Sequence, residues 1–136
     1  MRPWIIAAIL VAAAVAQRED PSDMTFQRLA KVQRFAFGGT GYAGVISQGE
    51  KDYKVILLRP SAMADFEKLL SVGNPQAKSY ALVGVRTLNL NRFNELSQPL
   101  RDSKEKVLGQ SGCMLYDEPL TAVLKRIEAG EYSKTR

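Results

Sequence analysis

Histidine is absent from the 136-residue sequence, and cysteine and tryptophan each occur only once. Without histidine the chain lacks the usual general base of serine and cysteine hydrolases and the commonest metal ligand in proteins. The single cysteine, Cys113, cannot form a disulfide within its own chain. Because Met114, Leu115 and Tyr116 follow it, we expect Cys113 to be buried as a small apolar residue. A disulfide to a second chain is the alternative.

Blocks of like charge are also missing. Lysine and arginine number 19 and aspartate and glutamate 14, a net charge of +5, but the two signs are interleaved along the chain. Tails that bind nucleic acid concentrate their basic residues, so the sequence predicts no nucleic-acid partner. The segment Gly109–Cys113 resembles a nucleophile elbow but has cysteine where glycine is required. We therefore predict no catalytic residues, no metal and no cofactor.

The one long apolar run lies near the start of the sequence. Arg2 precedes uninterrupted apolar residues from Trp4 to Ala16, and the run ends in Ala14-Val15-Ala16. A basic start, an apolar middle and small residues at positions −3 and −1 are typical of a secretory signal peptide. As a helix the run would span about 20 Å, which is too short for a hydrocarbon core of ~30 Å. We expect residues 1–16 to be cleaved, the protein to be exported to the periplasm or secreted, and no integral membrane segment to remain.

The rest of the sequence is predicted to form one domain. Residues 17–34 are expected to be an N-terminal extension or short helix, residues 35–130 a single mainly helical globular domain, and residues 131–136 a frayed tail. The predicted architecture is a small helical bundle or a short α-solenoid-like stack with a glycine-rich N-terminal loop. Apolar stretches flanking glycines near residues 106–116 favour a short β-hairpin or an irregular arm.

Capping residues mark where helices begin and end. Ser47 and Glu50 match a capping box, and Pro60 ends the helix that they start. Ser61 is a candidate cap for the next helix. Two further helices are predicted from helical spacing, one with Leu90, Phe93 and Leu96 and one with Leu120, Val123, Leu124 and Ile127.

Residues 61–88 read as two helices, SAMADFEKLL and QAKSYALVGVRTL, joined by the turn GNP. Gly73 is a natural helix stop, Asn74 a natural cap, and Pro75 suits a first helical position. The second helix has apolar residues on nearly all sides and is predicted to be buried all round. The segment resembles one unit of the HEAT-type helical repeats. The resemblance implies a helical hairpin that exposes a surface for binding other proteins.

Gly39, Gly41 and Gly44 fit the pattern G-x-G-x-x-G, and the segment around them looks like the nucleotide-binding turn of Rossmann-type reductases. That fold would need residues 54–58 as a second strand, with Arg59 at its tip. However, Ser47 and Glu50 fit the start of a helix better than a helix already under way. We therefore expect a glycine-rich connection, and keep as the alternative that these glycines cradle an anion with their backbone N–H groups.

Paired carboxylates are the remaining chemistry to consider, because glycoside hydrolases use them. The candidates are Glu50, Asp52, Asp65, Glu67, Asp117 and Glu118. The first four occupy helical positions typical of solvated faces, and the last two precede Pro119, where they supply negative charge at a helix N-terminus. Most aromatic residues have helical spacing with aliphatic ones, so they are expected in the core.

The sequence thus predicts an exported helical domain without enzymatic activity, which binds another envelope or secreted protein or a second copy of itself. The helices of residues 48–98 would supply the binding surface, and Tyr42 of the glycine-rich loop would add a contact. The alternative is a nucleotide- or small-ligand-binding protein, or an enzyme, that uses Gly39, Gly41 and Gly44.

Overall fold

The computed structural model describes residues 23–134, so the predicted signal peptide and residues 17–22 of the predicted N-terminal extension lie outside the described residues. The elements in chain order are α1 Met24–Ala30, β1 Gly39–Thr40, β2 Val45–Ile46, α2 Gln48–Leu57, α3 Ala62–Val72, α4 Pro75–Leu88, α5 Leu90–Ser97, β3 Lys106–Ser111, β4 Met114–Pro119 and α6 Leu120–Glu128. Short 3₁₀ turns follow at Gln98–Leu100 and Glu131–Lys134. The predicted fold class, mainly helical with a short hairpin near residues 106–116, is confirmed.

Helix α4 lies at the centre of the molecule and packs against α2, α3, α5, α6 and β3. Every residue from Ser79 to Val85 is buried, which confirms the predicted all-round burial. Asn74 caps this helix by accepting from the Ala77 N–H at 2.8 Å. A Cβ atom on Gly84 would lie 2.4 Å from the Phe66 ring, so glycine is what lets α3 approach α4 this closely.

Helices α3 and α4 form the helical hairpin expected over residues 61–88. The likeness of that hairpin to a HEAT unit stays a prediction, since a hairpin of two packed helices occurs in many helical folds.

The predicted caps differ in detail from what forms. Ser47 caps α2, because its hydroxyl accepts from the Glu50 N–H at 3.2 Å. Glu50 does not close the capping box, since its Oε1 accepts from the Gly38 N–H at 3.3 Å. Ser61 precedes α3 but its hydroxyl donates to the Asp65 carboxylate at 2.9 Å, so the expected cap on a backbone N–H is not made.

Six aromatic residues form the centre of the core: Phe35, Phe37, Tyr53, Phe66, Tyr80 and Tyr132, with contacting ring centroids 5.0–6.0 Å apart. Tyr80 is fully buried, and its hydroxyl donates to the Ala36 carbonyl at 2.8 Å and accepts from the Ala36 N–H at 3.0 Å. These two hydrogen bonds to Ala36 fix the position of the chain just before the glycine-rich segment.

The glycine-rich segment forms a small antiparallel hairpin of β1 and β2, and strands β3 and β4 form a second one. Parallel bridges from Phe35 to Gly109 and from Thr40 to Gly112 place the chain leading into the first hairpin beside β3. The Gly41 N–H donates to the Gly112 carbonyl at 2.9 Å, which joins the two hairpins near their tips.

Two sequence predictions are wrong. Cys113 is exposed, because it occupies the β3–β4 turn and Met114 and Leu115 after it are themselves exposed. Glu131–Lys134 forms a 3₁₀ turn instead of a frayed tail, since Tyr132 packs on Phe35 and accepts from Arg126 Nε at 3.0 Å.

Residues 54–58 belong to α2 and its C-cap, in agreement with the helix predicted to end before Pro60. The strand that a Rossmann-type fold would need at these residues, which the sequence already disfavoured, does not form.

Candidate interaction site

Glu50 and Asp52 are buried, although their spacing predicted a solvated face. Their exposed fractions are 1% and 3%. The sequence pattern missed this because α2 packs on α1. Helical periodicity describes contacts within one helix and gives no information on packing against a segment distant in sequence. Asp65 and Glu67 are half-buried, and both pair with arginines.

Asp52 joins α2 to α1 through a two-pronged ion pair. Its carboxylate accepts from Arg28 Nη2 at 2.8 Å and from Arg28 Nε at 3.1 Å, and Gln48 Nε2 donates to it at 3.0 Å. The hydrogen bond with Asp52 and its negative charge raise the pKa of the Arg28 guanidinium. The Asp52 carboxylate therefore links α1 to α2 and is already occupied by protein donors.

A groove runs between the end of α1 and the start of α2. One part has a volume of about 450 Å³ and is lined by residues that include Arg28, Lys31, Val32, Gly49 and Asp52. A second part of about 380 Å³ shares Val32 and Gly49 with the first, so the two parts are adjacent. The second part extends to Arg34, Thr40 and Gln110.

Glycine at position 49 is a steric requirement of this groove. A Cβ atom there would lie 2.8 Å from the Tyr80 hydroxyl and 2.9 Å from Val32 Cγ2. Because Gly49 has no side chain, the backbone of α2 lies directly against Tyr80 and Val32 at the floor of the groove.

The α1 side of the groove is held in place by the start of α4. The Asn74 N–H donates to the Ala30 carbonyl at 3.1 Å, and Asn74 Nδ2 donates to the Val32 carbonyl at 2.7 Å. Gln76 Nε2 donates to the Gln33 carbonyl at 3.2 Å. The end of α1 and the residues that follow it, with their carbonyls hydrogen-bonded in this way, form a fixed wall of the groove.

The three glycines predicted as an anion cradle lie in the first hairpin. Gly41 and Gly44 have φ values of +70° and +61°, which glycine adopts without strain. The N–H of Gly41 donates to Gly112, and the N–H of Gly44 donates to the Gly41 carbonyl at 3.2 Å. Gly39 pairs with Ile46 in the strand ladder. The N–H groups of Gly41 and Gly44 therefore already have acceptors within the hairpins, which argues against their use in an anion cradle.

Large apolar side chains are exposed on both hairpins. The described residues include eleven such side chains, and five of them lie here: Tyr42, Val45, Ile46, Met114 and Leu115. Tyr42 is fully exposed on the first turn, and Met114 is 72% exposed beside the second. Single exposed apolar residues are ordinary, but five on two joined hairpins mark a candidate interaction surface. We call these five residues, together with Cys113, the hairpin surface.

Strand β4 has a free edge on this surface. The Leu120 N–H donates to the Glu105 carbonyl at 2.9 Å, one step beyond the last pair of the β3–β4 ladder. Bonded and non-bonded pairs alternate in an antiparallel ladder, so Leu115 and Asp117 direct their N–H and C=O groups away from β3. No other strand of residues 23–134 pairs with that edge.

The turn between β3 and β4 is tight. Gly112 has a φ of +57° and Cys113 has a negative φ, the pattern of a type II′ turn. Across the strands, Tyr116 covers Gly109, where a Cβ atom would lie 2.5 Å from the tyrosine ring.

Glu118, one of the two acidic residues predicted to supply negative charge at the start of α6, forms an ion pair with Arg126. Glu118 accepts from both terminal nitrogens of Arg126, which is also bonded to Tyr132. Burial raises the pKa of the Tyr116 and Tyr132 hydroxyls. Asp117 is exposed.

Within residues 23–134 no three acidic or cysteine side chains come close enough together to hold a metal ion. None of the helices in this part of the chain is long and apolar enough to cross a bilayer. Comparison with protein-family models, curated proteins and solved structures finds no significant match to this chain.

Proposed function

We propose that this chain is an exported protein-binding domain without enzymatic activity, and that the hairpin surface is its binding site. The observation that carries the proposal is the set of five exposed large apolar side chains on two hairpins joined by the Gly41–Gly112 hydrogen bond. Such side chains lose contact with water when a partner covers them, which favours association.

The hairpin surface supports this function better than the helices of residues 48–98. The exposed apolar residues of those helices are spread over four elements: Val55 and Leu58 at α2, Val72 on α3, Leu88 on α4 and Leu90 on α5. The hairpins add the outward N–H and C=O groups of β4, to which an extended partner segment can bind as an added strand. Tyr42, which the sequence analysis expected to add a contact, is fully exposed on this surface.

Photo-crosslinking in the producing cell tests this proposal. A benzoylphenylalanine residue would replace Tyr42 or Met114, and a matched control would replace Leu58, which is 86% exposed but lies at the end of α2. We expect discrete adducts from the two hairpin positions that are absent at Leu58, and their mass distinguishes a second copy from another protein. The same adducts from all three positions, or none from the hairpins, would contradict the proposal.

Export is a separate prediction, supported by the pattern of residues 1–16. N-terminal sequencing of the protein recovered outside the cytoplasm should begin at Gln17. An Ala16→Arg variant places a large charged side chain at the cleavage site, so it should accumulate unprocessed. Wild-type protein that stays in the cytoplasm with an intact Met1 would contradict the prediction.

A further inference from the structure

We propose that the groove between α1 and α2 binds an extended acidic segment of another protein, with carboxylates against Lys31 and Arg34 and an apolar side chain over Val32 and Gly49. This site differs in position and chemistry from the hairpin surface, so it goes beyond the function proposed above.

The charges along the groove favour an acidic occupant. Its lining carries the positive side chains of Arg28, Lys31 and Arg34 and one negative side chain, Asp52. Arg28 and Gln48 already use the Asp52 carboxylate. Lys31 and Arg34 are exposed, and no acidic side chain of the described residues pairs with either. Arg34 Nη1 donates to Gln110 Oε1 at 3.1 Å, and because that partner is neutral both side chains keep an uncompensated positive charge. Carboxylates bound along the groove would be attracted to them.

The shape and rigidity of the groove favour an extended chain. The two adjacent parts of the groove extend from Arg28 to Gln110 and have Val32 and Gly49 in common. Its α1 wall is fixed by the bonds from Asn74 and Gln76, so little conformational entropy is lost when a ligand binds. Side chains of an extended segment alternate in direction, which lets one reach the floor while its neighbours reach the basic rim.

A nucleic acid fits the same site less well. Single strands bind through aromatic side chains on which bases stack, and no aromatic residue lines either part of the groove. The floor of Val32 and Gly49 suits an apolar side chain instead.

Fluorescence anisotropy with defined peptides tests the proposal. The probe is a fluorescein-labelled peptide of eight residues that alternates glutamate and leucine, and the control peptide has lysine in place of glutamate. We expect the acidic peptide alone to bind, with an affinity that falls as salt screens the charges. The double substitution Lys31→Glu and Arg34→Glu should weaken binding by about tenfold or more.

The matched control is the double substitution Lys104→Glu and Lys125→Glu, which changes the net charge equally at two exposed lysines outside the groove. It should keep the wild-type affinity, and both double variants should melt at the wild-type temperature. The proposal is overturned if the two peptides bind alike, if neither binds, or if both double variants lose affinity equally. It is also overturned if oligothymidylate or phosphatidylglycerol vesicles bind through Lys31 and Arg34 and the acidic peptide does not.

This outcome is independent of the hairpin surface. Photo-adducts at Tyr42 and Met114 in the Lys31→Glu, Arg34→Glu protein report on the hairpins alone, so failure at one site does not imply failure at the other.

Discussion

At the scale of single residues, the structure depends on polar groups that are buried with specific partners. Tyr80 shows this most clearly, because its hydroxyl satisfies both the N–H and the C=O of Ala36 in the core. The Tyr80→Phe variant keeps the ring but leaves the buried Ala36 N–H unpaired, and the Ala36 carbonyl keeps only the longer bond from the Ser47 hydroxyl at 3.4 Å. We expect it to lower the free energy of unfolding by about 1–3 kcal/mol in urea titration, the cost of one buried unpaired group. Tyr42→Phe, on a fully exposed ring, should change stability by less than about 0.5 kcal/mol.

The contribution of Asp23 to folding stability should depend on pH. Its carboxylate caps α1 at the Phe26 N–H and forms two hydrogen bonds with Arg59, at 2.8 and 2.9 Å. The Arg59 hydrogen bonds lower the pKa of Asp23 below its ordinary value of 3.8. A lowered folded-state pKa means that the ionised form contributes stability above pH ~3.8, and that this contribution is lost as the pH falls through the folded-state pKa.

The Asp23→Asn variant isolates that charge, because asparagine also caps helices well. Urea titrations of both proteins should show wild type more stable by roughly 1 kcal/mol at pH 7. The difference should shrink below pH ~3.8 and vanish in stronger acid. A difference that is the same at pH 7 and in acid would mean that Asp23 acts only as a cap.

At the scale of elements, caps that also hold a neighbouring segment should matter more than caps that do not. Asn74 caps α4 and donates to the Val32 carbonyl, whereas Asn89 caps α5 through one bond to the exposed Arg92 N–H at 3.1 Å. We expect Asn74→Ala to cost about 2–3 kcal/mol and Asn89→Ala about 1 kcal/mol in the free energy of unfolding. Asn74→Asp keeps the cap but lacks the Nδ2 donor, so its cost should fall between them. Equal costs for the two alanine variants would contradict the double role.

At the scale of the whole molecule, local signals predicted the helices, while contacts distant in sequence decided the candidate sites. The Gly73-Asn74-Pro75 turn and the all-round burial of residues 79–85 follow from local patterns. The burial of Glu50 and Asp52 does not, because the groups that bond them, Gly38 and Arg28, belong to segments that only the tertiary fold brings near.

The glycine-rich segment shows the same limit. Its glycines correctly predicted unusual backbone, but the reason for that backbone is the bond of Gly41 to Gly112 in the second hairpin, far along the chain. The spacing of Gly39, Gly41 and Gly44 matches the motif but does not reveal that the N–H groups of Gly41 and Gly44 already have acceptors in the fold. The exposure of Cys113 likewise follows from the turn that Gly112 allows.

The central claim is that the glycine-rich segment is a hairpin hydrogen-bonded to the β3–β4 turn at Gly112, and not an open loop for anions. Amide hydrogen exchange at Gly41, followed by NMR, tests it most directly. We expect the Gly41 amide to be protected while the Tyr42 amide on the exposed turn exchanges rapidly, and inorganic phosphate to leave both unchanged. A Gly41 amide that exchanges as fast as Tyr42, or that shifts when phosphate is added, would contradict it.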